Sequence, residues 1–240
     1  MSGSFQRARS AEQRELRRSA ILAAARELLD ERRVADVSLN ELARRAGLAK
    51  SNVLRYFESR EAVLLEIYDQ EFGAWLDALE PAMGAVETDD IEAIAGALAR
   101  TVAARPLLCE LSASAPGVLE HNLSAAVAVA YKLAASAHAV RLGRIVASRI
   151  ELTPAARLGL AAAANLGIGG TWAATRPSAG MAAAYDLHPA LRIYRFGFEP
   201  SLREYFATVL TGLRQREPRV GVDADGLDEI ARAIGAAGDG

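Results

Sequence analysis

An all-α fold is what the sequence predicts, on three observations. Alanine dominates the 240 residues and about half of the chain is hydrophobic, so a core of globular size is available. Apolar residues recur three and four positions apart along most segments, the period of a helix packed on one side. The alternation of apolar and polar residues that marks a half-buried strand is nearly absent.

Taken in order, residues 1–11 are polar, carry Arg7 and Arg9 and show no apolar period, so a flexible basic arm is expected there. A helix is predicted from Ala11 to about Arg33, with Ile21, Ala24, Ala25, Leu28 and Leu29 on one face. Ser38 and Glu41 have the spacing of a capping box, in which each side chain satisfies an orphan backbone N–H of the other. Leu39, Leu42, Ala43 and Ala46 give the helix that follows an apolar face, and Gly47 suits its left-handed end. The chain is predicted helical again from Lys50 to Phe57, with Leu48, Val53 and Phe57 turned to one side. Ser59 caps a long helix through Leu64, Ile67, Phe72, Trp75 and Leu79 to the neighbourhood of Pro81.

Beyond Pro81, helices are expected at about 89–104, 106–115, 123–149, 153–175 and 200–215. Pro106 and Thr153-Pro154 fit helix starts, and Pro116-Gly117 reads as a break. Gly169-Gly170, Arg176-Pro177, Gly180 and His188-Pro189 make 169–199 less regular, with loops around short helical pieces. From Pro218 on, Gly, Asp and Ala take over, and Leu227, Ile230 and Ile234 support at most one short helix. The expected organisation is an arm at 1–11, one domain at 12–60, a larger helical domain at 61–217 and a tail at 218–240.

Two helices joined by a short turn containing Gly47 are the helix-turn-helix pattern, whose second helix reads DNA. The side of 50–57 that does not pack carries Lys50, Ser51, Asn52, Leu54, Arg55 and Tyr56, groups suited to base edges and phosphates. Charge is distributed accordingly. Residues 1–60 hold 13 Lys+Arg against 8 Asp+Glu, a net of +5, which leaves 15 against 22, or −7, for the rest. The basic end suits a polyanion and the acidic remainder does not. Of the 28 basic residues only Lys50 and Lys132 are lysines, and Lys50 opens the reading helix.

The run from Val37 through Ser59-Arg60-Glu61-Ala62-Val63-Leu64 resembles the signature of the TetR/AcrR family of bacterial transcriptional regulators, a likeness covering roughly residues 14–64. The resemblance implies an N-terminal three-helix DNA-binding head followed by a helical domain that dimerises and binds a small effector. It implies that Lys50, Ser51, Asn52, Leu54 and Arg55 face base edges or adjoining backbone in the major groove. By their chemistry Arg55 suits guanine, Asn52 adenine and Leu54 a thymine methyl. Tyr56 and Arg60 match phosphate-holding positions, with Ser38 and Asn40 adding backbone contacts. Two departures stand out: Ala49 replaces a frequent Ser or Thr, removing a side-chain cap, and Leu54 replaces a frequent Tyr, removing a phosphate contact.

A single head covers little DNA, so a homodimer on a palindromic operator is implied, its two reading helices in successive major grooves about 34 Å apart. In the family the last two large helices form that interface, here 153–175 and 200–215, and the small residues of TPAARLGLAAAANLGIGGTW permit close approach. A contact within one chain accounts for the same residues. For a small-molecule effector, of hydrophobic or aromatic character, the candidates are Cys109, Tyr131, His138, Asn165 and Trp172, with Glu110, His121, Asn122 and Arg141 behind them. Asn165 and Trp172 lie seven residues apart on one helical face, which suits a cavity wall or a dimer core. His121 and Asn122 suit a helix cap.

No enzyme is read here. Gly167-Ile168-Gly169-Gly170 follows a helical pattern and has no Lys-Ser/Thr after it, so it is neither a phosphate loop nor a dinucleotide fingerprint. His121, His138 and His188 have no metal-type spacing with one another or with Cys109, so neither a metal nor a cofactor is expected. The lone Cys109 forms no internal disulfide, and no leader or membrane-spanning run is visible, which points to the cytoplasm and away from a membrane. Repression released by an effector is the expected mode, although an activator, or a DNA-binding regulator that takes no ligand, would carry the same head.

Overall fold

A computed structural model describes residues 2–216 and 232–233, and among them there are ten α-helices and no strand. Contacts divide the chain into two compact units, one of residues 1–68 with 114–128, the other of residues 69–113 with 129–240.

In the first unit α1 (Ser2–Glu31), α2 (Leu39–Arg45) and α3 (Lys50–Val53) surround a small core, joined by the first part of α4 (Arg60–Gly84). Ile21, Leu22, Ala24, Ala25 and Leu28 of α1 are buried with Val34, Val37, Leu42, Val53 and Phe57, the faces their helical spacing predicts. Helix α1 starts at Ser2, so the segment read as an arm continues the helix. Gln6, Arg7, Ala8, Arg9 and Ala11 are good helix formers, and extending an existing helix avoids the cost of a new nucleus. Helix α4 continues through Pro81 to Gly84, past the stop the sequence suggests. A proline within a helix costs about 3 kcal/mol, and the buried Leu79 and Met83 on either side hold this turn in place.

In the second unit α5 (Ile91–Ala103), α6 (Pro106–Ser114), α7 (Ala125–Ala147), α8 (Pro154–Ala174), α9 (Ala179–Leu187) and α10 (Phe198–Gln215) follow, with α4 and α7 each running across the division between units. Helix α10 packs on α5 and α8. Trp75, Leu76, Leu79, Ile94, Leu98, Leu108, Phe206 and Leu210 are fully buried, and the Trp75 Nε1–H donates to Thr101 Oγ1 at 3.0 Å. The break expected at Pro116-Gly117 is a π-helical turn, Ala115–Leu119, closed by the Glu120 N–H on the Ala115 carbonyl at 3.1 Å. The irregular 169–199 stretch resolves into the end of α8, α9 and a 3₁₀ segment, Pro189–Tyr194. Leu227, Ile230 and Ile234, read as a short helix, lie outside the described residues.

Of the two uses open to the glycines of α8, the contact within one chain is the one seen at Gly167 and Gly169. A Cβ on Gly167 would lie 2.1 Å from the Tyr205 ring on α10, and one on Gly169 would lie 2.8 Å from the Ser112 carbonyl on α6. These two positions are small because helices of the same chain pass close by. Ala162, Leu166 and Gly170 face outward instead.

Candidate nucleic-acid interface

The site is assembled from its supporting helix outward. Ser38 Oγ accepts the Glu41 N–H at 3.2 Å while Glu41 Oε2 accepts the Ser38 N–H at 3.2 Å and its hydroxyl at 2.7 Å, completing the capping box. Those Ser38 bonds, with Arg32 nearby, hold the Glu41 carboxyl below its ordinary value. At the other end Gly47 adopts φ 66°, and the Leu48 N–H reaches the Ala43 carbonyl at 2.9 Å while the Gly47 N–H reaches that of Arg44 at 3.2 Å. This is the Schellman arrangement, in which a left-handed residue turns the chain and satisfies the last carbonyls.

Helix α3 is shorter than the predicted 50–57. Regular α-helix covers Lys50–Val53, then the Arg55 and Tyr56 N–H groups bond to Asn52 and Val53, three residues back, tightening the last turn. Ala49 caps without a side-chain bond, as its type dictates. Val53 and Phe57 are buried beneath the turn, which leaves Lys50, Ser51, Asn52, Leu54 and Arg55 exposed with Tyr56 half-buried. Among the described residues, the side chains of Lys50, Ser51, Asn52 and Arg55 make no hydrogen bond or ion pair within the chain, their backbone groups being spent on the turn itself. Asn40 is exposed on α2.

Arg60 differs from its expected role on phosphate. Its guanidinium binds Glu61 Oε1 through Nε at 3.1 Å and Nη2 at 2.9 Å, and Nη1 donates to the Val37 carbonyl at 2.9 Å. A fork so engaged ties the entry of α2 to the start of α4 and positions the reading turn rather than projecting from it. Two further groups escape sequence reasoning because their partners are distant in the chain. Arg18 donates to the Tyr56 carbonyl at 3.1 Å, lies over the Phe57 ring at 4.4 Å and binds Glu66, stapling α1 and α4 to the end of the reading turn. Glu58 accepts the Ser124 N–H at 2.7 Å, and that bond lowers its carboxyl below the usual range. Residues 114–128 thereby belong to the DNA-binding unit.

The effector candidates do not converge. Cys109 is fully buried, its thiol donates to the Val102 carbonyl at 3.6 Å, and burial pushes it up to about 12. His138 Nε2 sits 2.8 Å from Asp69 Oδ1 with its ring stacked on Phe72, and Arg141 one turn on bridges Asp77 and Glu80 of α4. Trp172 is buried, donates to Glu110 Oε2 at 2.8 Å and carries the Arg176 guanidinium over its ring, whereas Asn165 is exposed. Seven residues of helix return to one side, but Phe198 covers only the Trp172 end. Tyr131 lies under Lys132 on α7, and His121 and Asn122 lie in the loop before it, where Asn122 takes φ 58°. None of the five main candidates lines either of two cavities in the second unit. One, of about 580 Å³, lies among Glu71, Ala78, Arg100, Thr101, Arg105 and Leu107. The other is a groove of about 680 Å³ beside α8 and the start of α10.

A capped helix, a left-handed glycine turn and a short second helix with unspent polar groups define a helix-turn-helix DNA-binding protein. The family model for bacterial regulatory proteins of the tetR family matches residues 21–67, and that for the tetracyclin repressor-like C-terminal domain matches residues 69–217. The chain belongs to the TetR family of transcriptional regulators. The HTH-type transcriptional regulator EthR of Mycobacterium tuberculosis is 46% identical over 61 residues, 25% of this chain and 27% of that protein. EthR of Mycolicibacterium smegmatis is 43% identical over 53 residues, 22% and 24% of the two chains, so these matches span about a quarter of the relatives' length. The fatty acid degradation regulator FadR from Bacillus halodurans shares the fold, with a TM-score of 0.51 and 15% identity over 82% of this chain and 99% of that one. No helix among the described residues is long and apolar enough to cross a membrane.

Proposed function

We propose that this regulator is a repressor that binds a palindromic operator as a homodimer and is released by a small, hydrophobic or aromatic effector held by the C-terminal domain. The observation that carries the DNA half is the exposed, internally unbonded set Lys50, Ser51, Asn52 and Arg55 on a turn anchored by Val53 and Phe57. Polar groups left unspent on a rigid support are what base readout requires, because a donor already bonded within the chain would have to give up that bond on binding. Arg55 and Asn52 read bases, Leu54 makes apolar contact, and Lys50, Ser51, Tyr56, Ser38 and Asn40 hold the backbone, with Arg60 acting through the fold behind them. Release is a population shift: an effector that favours a body conformation unsuited to two successive grooves lowers DNA affinity by that coupling energy. Helices α4 and α7, continuous across the division between units, are the elements that would transmit it.

Selection of the purified chain on a random duplex library, at a stated salt concentration, tests the reading. A palindrome with half-sites about one helical turn apart is expected. Enrichment of a single unrepeated half-site would overturn the dimeric operator, and no enrichment over scrambled duplex would overturn sequence reading by this head.

A further inference from the structure

Residues 178–197 form a piece of chain that buries none of its own residues fully. Ser178 caps α9 by accepting the Met181 N–H at 3.4 Å, and Arg195 closes the piece on itself by binding Asp186 at 2.6 Å and the Ala182 carbonyl at 3.2 Å. Tyr185 and Tyr194 face each other across it at 6.4 Å. Yet no residue of α9 or of the 3₁₀ segment after it is buried. Met181 is 50% exposed, Leu187 85%, Ile193 69%, Tyr194 51% and Phe196 53%. Helices this short are marginal without a packed face, so ordering the piece has no burial to offset it within one chain.

The exposed surface continues onto neighbouring elements. Phe196 lines the 680 Å³ groove together with Gly170, Ala174, Arg195, Pro200 and Glu204, the Arg195 guanidinium being spent on Asp186, and Leu166, one turn before Gly170 on α8, is 69% exposed. The two sides carry complementary charge. Arg192 on the 3₁₀ segment has no acidic partner among the described residues, and Glu204 in the groove has no basic one. A two-fold axis uses one self-complementary surface twice, bringing Arg192 of each copy to Glu204 of the other.

We infer that 178–197 is a dimerisation strap: its apolar face and the groove beside α8 are covered by a second copy of this chain, with Leu187 and Ile193 of each protomer seated against the other. The strap rests on the homodimer reading above and adds a further segment to the α8 and α10 contact. Leu187 and Ile193 are the anchors, because they are the most exposed large apolar residues of the strap, and Arg192 sets the register against Glu204.

Sedimentation equilibrium of the full chain and of the L187S/I193S double variant decides it, with circular dichroism to check that helix content is kept. The double variant is expected to raise the dimer dissociation constant at least about tenfold. A variant that dimerises as tightly as the parent overturns the strap and leaves the homodimer standing. A parent chain that is monomeric at micromolar concentration overturns the homodimer, and the strap with it. If the double variant loses helix, R192E and E204R are measured instead: each alone weakening the dimer and the two together restoring it supports the strap, and failure of the pair to restore it refutes the strap.

Discussion

The face of α3 and the face of α9 are both exposed, and they are exposed for opposite reasons. On α3 and the turn after it the outward groups are polar apart from Leu54, and Val53 and Phe57 are buried beneath, so the turn has its own support and its outer face is free for a polyanion. On α9 and the segment after it the outward groups include Leu187, Ile193 and Phe196 and nothing is buried. An exposed polar face on a buried support is a reader, whereas an exposed apolar face without one is half of a contact. The same contrast separates the two units. The first is held by two local devices, a capping box and a Schellman turn, with Arg18 as its long-range staple. The second is held by close passage of Ala- and Gly-rich helices around a few large side chains such as Trp75.

If that contrast holds, Trp75→Ala should be the most damaging change, destabilising the chain by about 3–5 kcal/mol in denaturant unfolding, since it empties a fully buried site and strands Thr101. A loss under about 1 kcal/mol would mean that the second unit does not depend on its few large residues. Gly169→Ala should cost about 1–3 kcal/mol because the added carbon meets the Ser112 backbone, which cannot move aside as a side chain can. Gly170→Ala, with open space around it, should be neutral or slightly stabilising. Arg55→Ala should leave stability unchanged while weakening binding to the selected operator by about 1–3 kcal/mol and relaxing preference at one position, read by titration against operator variants. A uniform loss on all sequences would move Arg55 from reading to phosphate binding. Ser38→Ala should cost about 1 kcal/mol and lower DNA affinity with it, since the capping box orients α2 under the reader.

The smallest effect is the one in alkali. Burial raises the Cys109 thiol to about 12, above the ordinary value near 9, so between those values the unfolded chain gives up a proton that the folded chain keeps. Stability therefore falls as pH rises through that window, and is unaffected below it. Melting temperature of the parent should decline more steeply above about pH 9 than that of Cys109→Ala. Equal slopes would show that the thiol is not held protonated by the fold.

The head was legible because its signals are short-range. Ser38 with Glu41, and Gly47 after the apolar run, specify caps and a turn from residues a few positions apart, and Val53 and Phe57 follow from helical spacing. What was illegible there involved distant partners: Arg18 on Tyr56, Glu58 on Ser124, and Arg60 turned inward on Glu61 and Val37 instead of outward. In the body the period of an Ala-rich helix shows that a face is buried but not against what. The small residues of α8 suited a partner or a contact within one chain equally, and Gly167 and Gly169 serve Tyr205 and Ser112 of the same chain. The effector candidates had the right chemistry for a pocket, yet His138, Arg141 and Trp172 each found a partner that no spacing reveals.

By itself the sequence determined the all-helical class, the caps and turn of the head and the polar outer face of α3, because each depends on backbone groups and side chains within about one helical turn. Only the tertiary structure decided which small residues are contacts within the chain, which charged groups are spent on the fold, and that no residue of α9 is buried. Those outcomes depend on which helices meet, and helices whose surfaces are mostly alanine leave that choice to a handful of long-range contacts.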